Sequence, residues 1–274
     1  MNIYNFVRWF NKKPSPQKKT RYNSSLAADN IIAAALDIAA EMLKSGGEIH
    51  RVETTLERIC LAYGAETVEV FAITSLITAA VTMPDGTGAS GIRRIYATGN
   101  DLARLEKLNA LSRKICREKT RFDRVAELFS ETLRTEPYPA WVIFLGAVLA
   151  AGGFAMFFGG DIFDGIAAGI IGVVLTAIDY YRPSYFNQMA RTVICSFAAG
   201  LLSYMLVNVG IGHNTDRVMI GSVMILVPGL TFGNALRDLL CGDVISGSIE
   251  IVNSILSASM IAFGYSAAIL LMNL

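Results

Sequence analysis

The stretch Val227–Gly247 reads VPGLTFGNALRDLLCGDVISG and lies between two long apolar runs, residues 218–227 and 249–274. These neighbours place it at or in a membrane, yet Pro228 removes a backbone donor and interrupts a helix. A broken backbone at membrane depth is tolerated only where protein or a water-filled cavity satisfies its polar groups. Charged groups at that depth indicate a functional site, unless the stretch is a water-exposed connector between two spans. Its charged residues are Arg237, Asp238 and Asp243.

The 274-residue chain is 53% hydrophobic, and its charges are unevenly distributed. Residues 1–139 contain 20 of the 24 Lys and Arg residues and 16 of the 23 Asp and Glu residues. We therefore expect a charged N-terminal part followed by a part embedded in a lipid membrane. The net charge of +1 argues against nucleic acid as a partner.

The N-terminal part divides into a tail and a domain. Residues 1–25 form a basic tail that has no acidic residue and no secretory signal. The tail is either disordered or anchored among lipid headgroups by its apolar residues, and its composition favours disorder. Residues 26–136 are predicted to form a cytoplasmic α+β domain with a small, mostly antiparallel sheet.

Apolar periodicity and turn signals locate the elements of this domain. The S-x-x-E spacing of Ser45 and Glu48 predicts a capping box that starts the second helix. Helices are predicted at Leu26–Lys44, from Glu48 to Gly64, at Asp101–Glu118 with Asn100 as the cap, and at Phe122–Leu133; strands are predicted at Thr67–Ile73, Leu76–Met83 and Ile92–Thr98.

Residues 137–274 are predicted to form a transmembrane domain. The fold class is therefore a membrane protein with an α+β cytoplasmic N-terminal domain, followed by an α-helical bundle of five transmembrane helices. The basic residues before the first span indicate a cytoplasmic N-terminus, and five crossings put the C-terminus outside. Asp161, Asp164 and Asp216 fall in short outer loops, where exposure to water accounts for them. The predicted spans are Ala140–Phe158, Ile162–Tyr180, Arg191–Val209, Val218–Ala235 and Ser248–Met272.

The interrupted fourth span supplies the candidate binding residues. Free backbone donors at the N-terminus of a half-helix attract carboxylates, and Arg237 can hold one through two hydrogen bonds. An acidic residue in or after the break can bind an ammonium group or carry a coupling proton. The ligand is then a small polar molecule, and the predicted substrate-binding set is Pro228, Gly229, Asn234, Arg237, Asp238, Asp243 and Glu250.

The sequence contains no recognisable catalytic or cofactor motif. GxGxxG, Walker A, HExxH and GxSxG are absent, and the four cysteines form no CxxC pair. His50, Glu53 and Glu57 share one side of the second helix, which a polar helix face explains better than a metal site. We therefore expect no catalytic residue, no cofactor and no metal.

Two segments resemble the threonine/serine exporter family (ThrE/YjjP type). PGLTFGNALRDLLCGDVISG, residues 228–247, is similar to the family signature, and SGGEIHRVETTLERICLAYGAETVEVF, residues 45–71, is similar to the start of its cytoplasmic domain. The resemblance covers most of Leu26–Leu274. It implies a secondary transporter of the inner or plasma membrane that exports threonine and serine or, in another branch, dicarboxylates such as succinate. It also marks Arg51 and Glu53 as a cytoplasmic-domain motif, with an ion pair between helix and sheet as one role, while His50 departs from the family's usual aromatic residue.

The resemblance further implies a partner. Single-chain members of the family look like this sequence followed by a second, smaller block of membrane helices. We therefore expect a separate small membrane subunit to supply that block, with a homo-oligomer as the alternative. Small-residue stripes at Gly146–Gly153 and Gly165–Gly169 offer surfaces for close helix contact. Two other functions stay open, a membrane-anchored enzyme with a hydrolase-like cytoplasmic domain and a membrane metabolite sensor.

Overall fold

The computed structural model of the protein describes residues 16–134, 138–181 and 187–272. The chain divides into two compact units. The N-terminal unit comprises Met1–Thr135 and Arg237–Gly247, and the helical unit comprises Glu136–Leu236 and Ser248–Leu274. Residues 1–15 of the predicted basic tail lie outside the described residues. The charged part of Val227–Gly247 thus belongs to the N-terminal unit.

The described residues before residue 135 form four helices and one sheet. The first helix begins at Pro16 rather than at Leu26, and proline is favoured in the first turn of a helix. The third helix has Asp101 as its N-cap, where Asn100 was predicted. The elements are α1 (Pro16–Lys44), α2 (Ile49–Ala62), β1 (Thr67–Ile73), β2 (Leu76–Thr82), β3 (Gly88–Arg94), α3 (Leu102–Glu118) and α4 (Phe122–Leu133).

The sheet is an antiparallel meander in the order β1–β2–β3. β1 and α4 agree with the prediction, whereas the predicted third strand, Ile92–Thr98, is displaced from the observed β3. The turn after β2 is tight, because Asp85 Oδ1 accepts a hydrogen bond from Thr87 N at 2.9 Å. The pairing of β2 with β3 therefore starts directly after the turn, with Thr82 of β2 opposite Gly88 of β3. Hydrogen bonding to β2 outweighs the low strand propensity of this glycine-containing segment.

The hydrophobic core of the N-terminal unit lies where α1, α2 and α3 meet the sheet. β3 runs so close to α1 that a Cβ added at Gly91 would lie 2.6 Å from Leu36 Cδ1. A larger residue at position 91 would therefore force the buried Leu36 side chain to move, which favours glycine there despite its low strand propensity. The largest fully buried side chains of this core are Leu36, Ile38, Met42, Ile49, Val52, Leu56, Ile77, Val81, Leu108 and Ile115.

Four helices of the described chain are long and apolar enough to cross a membrane. They account for most of the residues beyond residue 138. They are α5 (Ala140–Phe157), α6 (Ile162–Tyr180), α7 (Gln188–Asn208) and α10 (Val244–Met272), and two shorter helices lie between α7 and α10, namely α8 (Thr215–Val223) and α9 (Gly229–Cys241).

The prediction of five transmembrane helices is not confirmed. The predicted fourth span, Val218–Ala235, is divided between α8 and α9. After α8 the chain turns, and Leu226 N donates to Val223 O at 2.8 Å. Pro228 has no N–H and disfavours helical backbone at the preceding residue, so a helix cannot run through it without distortion. A hydropathy pattern detects the apolar content of this segment but not its interruption.

Glycines bring the helices of the helical unit close together. A Cβ added at Gly152 of α5 would lie 2.8 Å from Gly165 O of α6, and one added at Gly221 of α8 would lie 2.6 Å from Ala151 O of α5. Of the predicted small-residue stripes, the Gly165 stripe is therefore used inside the chain. The stripe of Gly146, Ala150 and Gly153 on α5 is not, because none of the described residues lies within 4 Å of a Cβ added at Gly146 or Gly153. Close backbone contact through small residues is the usual packing mode of membrane helices.

Candidate functional site

The site starts at the N-terminus of α2, where the predicted capping box is absent. Glu48 is the N-cap residue and makes no side-chain capping hydrogen bond. Ser45 Oγ donates instead to Glu41 O at 2.8 Å, so it serves the end of α1. The first N–H groups of a helix have no intrahelical acceptor, and α2 must find one elsewhere.

Asp238 provides that acceptor from 189 residues further along the chain. Its Oδ1 accepts a hydrogen bond from Ile49 N at 3.2 Å, and the residue is only 2% exposed. A carboxylate at this position also interacts favourably with the partial positive charge of the helix N-terminus. Asp238 therefore performs, from a distant segment, the task that a local N-cap side chain usually performs.

Arg237 strengthens the same contact. Its Nη1 donates to Glu48 Oε1, one residue before the start of α2. The Arg237 side chain is 63% exposed, and the Glu48 side chain is 21% exposed. An exposed ion pair contributes little free energy by itself. Beside the buried capping bond, however, it fixes the orientation of two consecutive residues of α9 against α2.

Glu53, one turn into α2, binds the sheet. Its Oε1 accepts a hydrogen bond from Ala72 N of β1 at 2.7 Å. β1 is an edge strand, so this N–H would otherwise lack a partner in the sheet. Glu53 thus joins α2 to the sheet by accepting a hydrogen bond from the backbone, and Arg51 is exposed. The ion pair of Arg51 and Glu53 stays a prediction.

Asp243 completes the group, which we call the α2-cap cluster: Glu48, Ile49, Glu53, Arg237, Asp238 and Asp243. Its backbone N–H donates to Asp238 O at 2.9 Å, and Gly242 makes the turn between them with a φ of +100°. The Oδ2 atom of Asp243 is buried and has no hydrogen-bond partner among the described residues. An unsatisfied buried acceptor is costly, which makes it a favourable position for a donor group of a ligand.

Burial dominates the electrostatics of the cluster. It raises the pKa of Asp238 to about 6, against the opposing hydrogen bond from Ile49, while Asp243 and Glu48 add repulsion and His50 lowers the pKa. Burial also raises the pKa of Glu53, the hydrogen bond from Ala72 opposes it, and Asp243 and Asp238 raise it further. The cluster can therefore exchange a proton near neutral pH.

The remaining predicted residues lie in the helical unit. Pro228 lies in the break before α9, Gly229 is the first residue of α9, Asn234 is half-buried in α9, and Glu250 is half-buried in α10. The structure thus brings Arg237, Asp238 and Asp243 together with Glu53. It also adds Glu48, which the sequence predicted only as a member of a capping box. No group of three or more His, Cys, Asp or Glu side chains within the described ranges could hold a metal ion.

A second buried carboxylate lies in the helical unit and corrects another prediction. Asp164 was expected to be exposed in a loop, but it is fully buried in the first turn of α6. Its Oδ1 accepts hydrogen bonds from His213 N and Asn214 N, both at 2.8 Å. Asp161 and Asp164 form a reciprocal capping box on α6. Asp164 therefore holds the loop before α8, which is a structural role.

Asp238→Asn is expected to flatten the pH dependence of stability. Because the pKa of Asp238 in the folded protein lies above its ordinary value of 3.8, the native state binds the proton more tightly than the unfolded state. Its contribution to stability is therefore greatest at low pH and is lost as the pH rises to about 6. We expect the thermal midpoint of the detergent-solubilised protein to fall over this range and to fall less in Asp238→Asn. The exposed Asp29→Asn is the control, and parallel profiles for all three proteins would contradict the assignment.

Comparison with known proteins agrees with these observations. The model of the ThrE family, described as "Putative threonine/serine exporter", matches residues 33–272, which includes the α2-cap cluster and all four apolar helices. No curated protein and no solved structure matches the chain in the same comparisons. This is a family of membrane transporters rather than of enzymes. The match extends over nearly the whole sequence, so the chain belongs to the threonine/serine exporter family.

Proposed function

We propose that this membrane protein is a secondary transporter that exports threonine and serine, and that the α2-cap cluster binds the amino acid. The observation that carries the proposal is the presence of opposite charges within one short segment. Arg237 uses Nη1 for Glu48 and is largely exposed, so its other donors can hold a carboxylate in two hydrogen bonds. The Oδ2 atom of Asp243, which has no hydrogen-bond partner in the described part of the chain, can accept a hydrogen bond from an ammonium group.

The charge balance of the cluster favours a zwitterion over a dicarboxylate. Glu48, Glu53, Asp238 and Asp243 are acidic, and Arg237 is the basic member of the cluster. A second carboxylate on the ligand would enter a region that already has a surplus of negative charge, where like charges repel more strongly than in bulk water. An amino acid brings its own positive charge and avoids this cost. The dicarboxylate alternative is therefore the weaker proposal.

Arg237→Ala is expected to lower efflux of labelled threonine and serine from cells that express the protein. Loss of a charged hydrogen bond to the substrate corresponds to roughly a tenfold change in apparent affinity or rate. Arg58→Ala, which removes an exposed arginine elsewhere on α2, is the matched control and is expected to retain normal efflux. Protein level and membrane insertion are measured in parallel.

Two outcomes would contradict this proposal. Normal threonine efflux in Arg237→Ala would show that the α2-cap cluster does not bind the substrate. Val227–Gly247 would then be a water-exposed connector between two spans. Cells that export succinate but neither threonine nor serine would contradict the substrate class. Equal amounts of both amino acids released with and without the protein would favour the enzyme or sensor interpretations.

We also propose that the N-terminal unit is cytoplasmic and that the C-terminus is outside. The support is the concentration of Lys and Arg before α5. Four helices have the length to cross, and α8 and α9 together must supply a fifth crossing if the two ends of the chain are on opposite sides. A half-helix pair with a break at membrane depth is the arrangement found around substrate sites of secondary transporters.

Reporter fusions test this topology. A reporter that is active only outside the membrane is expected to be silent when fused after Arg134 and active when fused after Leu274. The reciprocal cytoplasmic reporter serves as the control at both positions. Silence of the external reporter at Leu274 would mean an even number of crossings. The chain would then enter α8 and leave α9 on the same side of the membrane.

We propose further that a second small membrane subunit completes the exporter. The support is the stripe of Gly146, Ala150 and Gly153 on α5, because no described residue lies within 4 Å of a Cβ added at Gly146 or Gly153. In addition, α10 is the least buried of the four long apolar helices among the described residues. Lipid or another helix must cover both surfaces.

Purification from native membranes tests the subunit proposal. A small membrane protein is expected to co-purify, and Gly146→Leu is expected to weaken its retention because the side chain would fill the stripe. Ala190→Leu, at an exposed position of α7, is the control, because the proposal assigns no subunit contact to that helix. Recovery of a homo-oligomer alone, with full export activity, would contradict a separate subunit.

A further inference from the structure

One face of α10 is polar where a membrane helix is usually apolar. Within the helical unit, Glu250, Ser254, Ser257, Ile261 and Tyr265 recur at intervals of three or four residues and are buried or half-buried. They therefore form a single stripe along the helix. The opposite face carries large exposed apolar side chains suited to lipid, namely Val252, Ile255, Leu256, Phe263 and Leu270. Polar groups held inside a membrane helix bundle are functional by default.

Ser254 is the most informative residue of this stripe. Its side chain is 5% exposed, and its Oγ atom has no hydrogen-bond partner among the described residues. Serines inside helices usually donate to the carbonyl one turn earlier. Ser203 does so to Ala199 O at 2.8 Å, and Ser259 does so to Ile255 O at 2.9 Å. Ser254 forgoes this bond, so a buried hydroxyl is left for a ligand group to satisfy.

At its C-terminal end, the stripe includes one member of a pair of hydroxyl groups. Tyr265 OH lies 2.9 Å from Ser222 Oγ, and Ser222 also donates to Met219 O at 3.0 Å. Ser222 is the penultimate residue of α8, next to the interrupted backbone. Ser254 and Tyr265 are separated by about 16 Å along α10, from the rise of an α-helix.

We infer that the polar face of α10, from Glu250 to Tyr265, lines the path of the exported amino acid, with Ser254 as a direct contact. This inference rests on the proposed export of threonine and serine and names the residues that the substrate meets inside the helical unit. Uncharged hydroxyls suit a path, because they exchange hydrogen bonds with a zwitterion without holding it too tightly to leave. Tyr265 is the last residue of this polar face, and its hydroxyl pairs with Ser222 near the C-terminal end of α8.

Cysteine labelling tests the inference. In a background without Cys60, Cys116, Cys195 and Cys241, Ser254→Cys is expected to react with a small, water-soluble thiol reagent, and threonine is expected to slow the reaction at least fivefold. Ser259→Cys is the matched control, five residues further on the exposed face of the same helix, and is expected to stay unreactive. An unreactive Ser254→Cys, or labelling that threonine does not slow, would overturn the inference.

A transport measurement keeps the inference testable if the cysteine variants do not assemble. Ser254→Ala is expected to raise the KM for threonine efflux roughly fivefold, from the loss of one hydrogen bond, while Ser259→Ala leaves the KM unchanged. Equal KM values for Ser254→Ala and the wild type would overturn the inference. Failure of the wild type to export threonine or serine would instead contradict the proposed function, so the two failures are distinguishable.

Discussion

The hydrogen bond from Ile49 N to the Asp238 carboxylate is the interaction on which the candidate site depends. α2 begins without a local cap, because the Glu48 side chain does not bind its first turn. Asp238 supplies the cap from the other end of the sequence, and its burial carries an electrostatic cost that appears as a pKa raised to about 6. The capping bond, the helix dipole and the adjacent ion pair of Arg237 with Glu48 offset this cost.

This arrangement bears on how the charged residues Arg237 and Asp238 are interpreted. Sequence reasoning offered two interpretations, a buried binding site or a water-exposed connector. The structure places Arg237 and Asp238 against α2, and Glu53 carries the contact onward to the edge of the sheet through Ala72. In the proposed function, a substrate carboxylate that binds Arg237 must compete with Glu48. Binding and protonation would then act on the same few contacts, and an exporter with a titratable cap has a physical route to pH sensitivity.

Local patterns predicted those elements whose boundaries depend on local chemistry. β1 and α4 agree with their predicted bounds, because β-branched alternation and an apolar helical period are read within a single segment. The capping box predicted at Ser45 is wrong because a neighbouring element decides which helix the serine caps. The S-x-x-E spacing is correct, but Gly46 adopts a φ of +88° and ends α1, so Ser45 serves the helix before it rather than the helix after it. The observed β3 differs from the predicted third strand because its hydrogen bonding to β2 outweighs the low strand propensity of its own residues.

Features that join distant residues could not be predicted from the sequence. Nothing near Ile49 indicates that its acceptor is residue 238, and nothing near Asp164 indicates that the loop at His213 buries it. Hydropathy likewise predicted a span across Pro228, since it measures apolar content and not backbone continuity. The family match supports export across a membrane, but the proposed substrate contacts rest on geometry that only the folded chain provides.

Hydrogen exchange at the first turn of α2 tests the central claim most directly. In the wild type, the amide protons of Ile49 and Val52 should exchange slowly, because Asp238 Oδ1 and Glu48 O accept them. In Asp238→Ala they should exchange faster, whereas the amides of Ile31–Met42 in α1 should be unaffected. Unchanged protection of the α2 first turn in Asp238→Ala would show that α2 does not depend on the distant carboxylate, and the account of this site would be wrong.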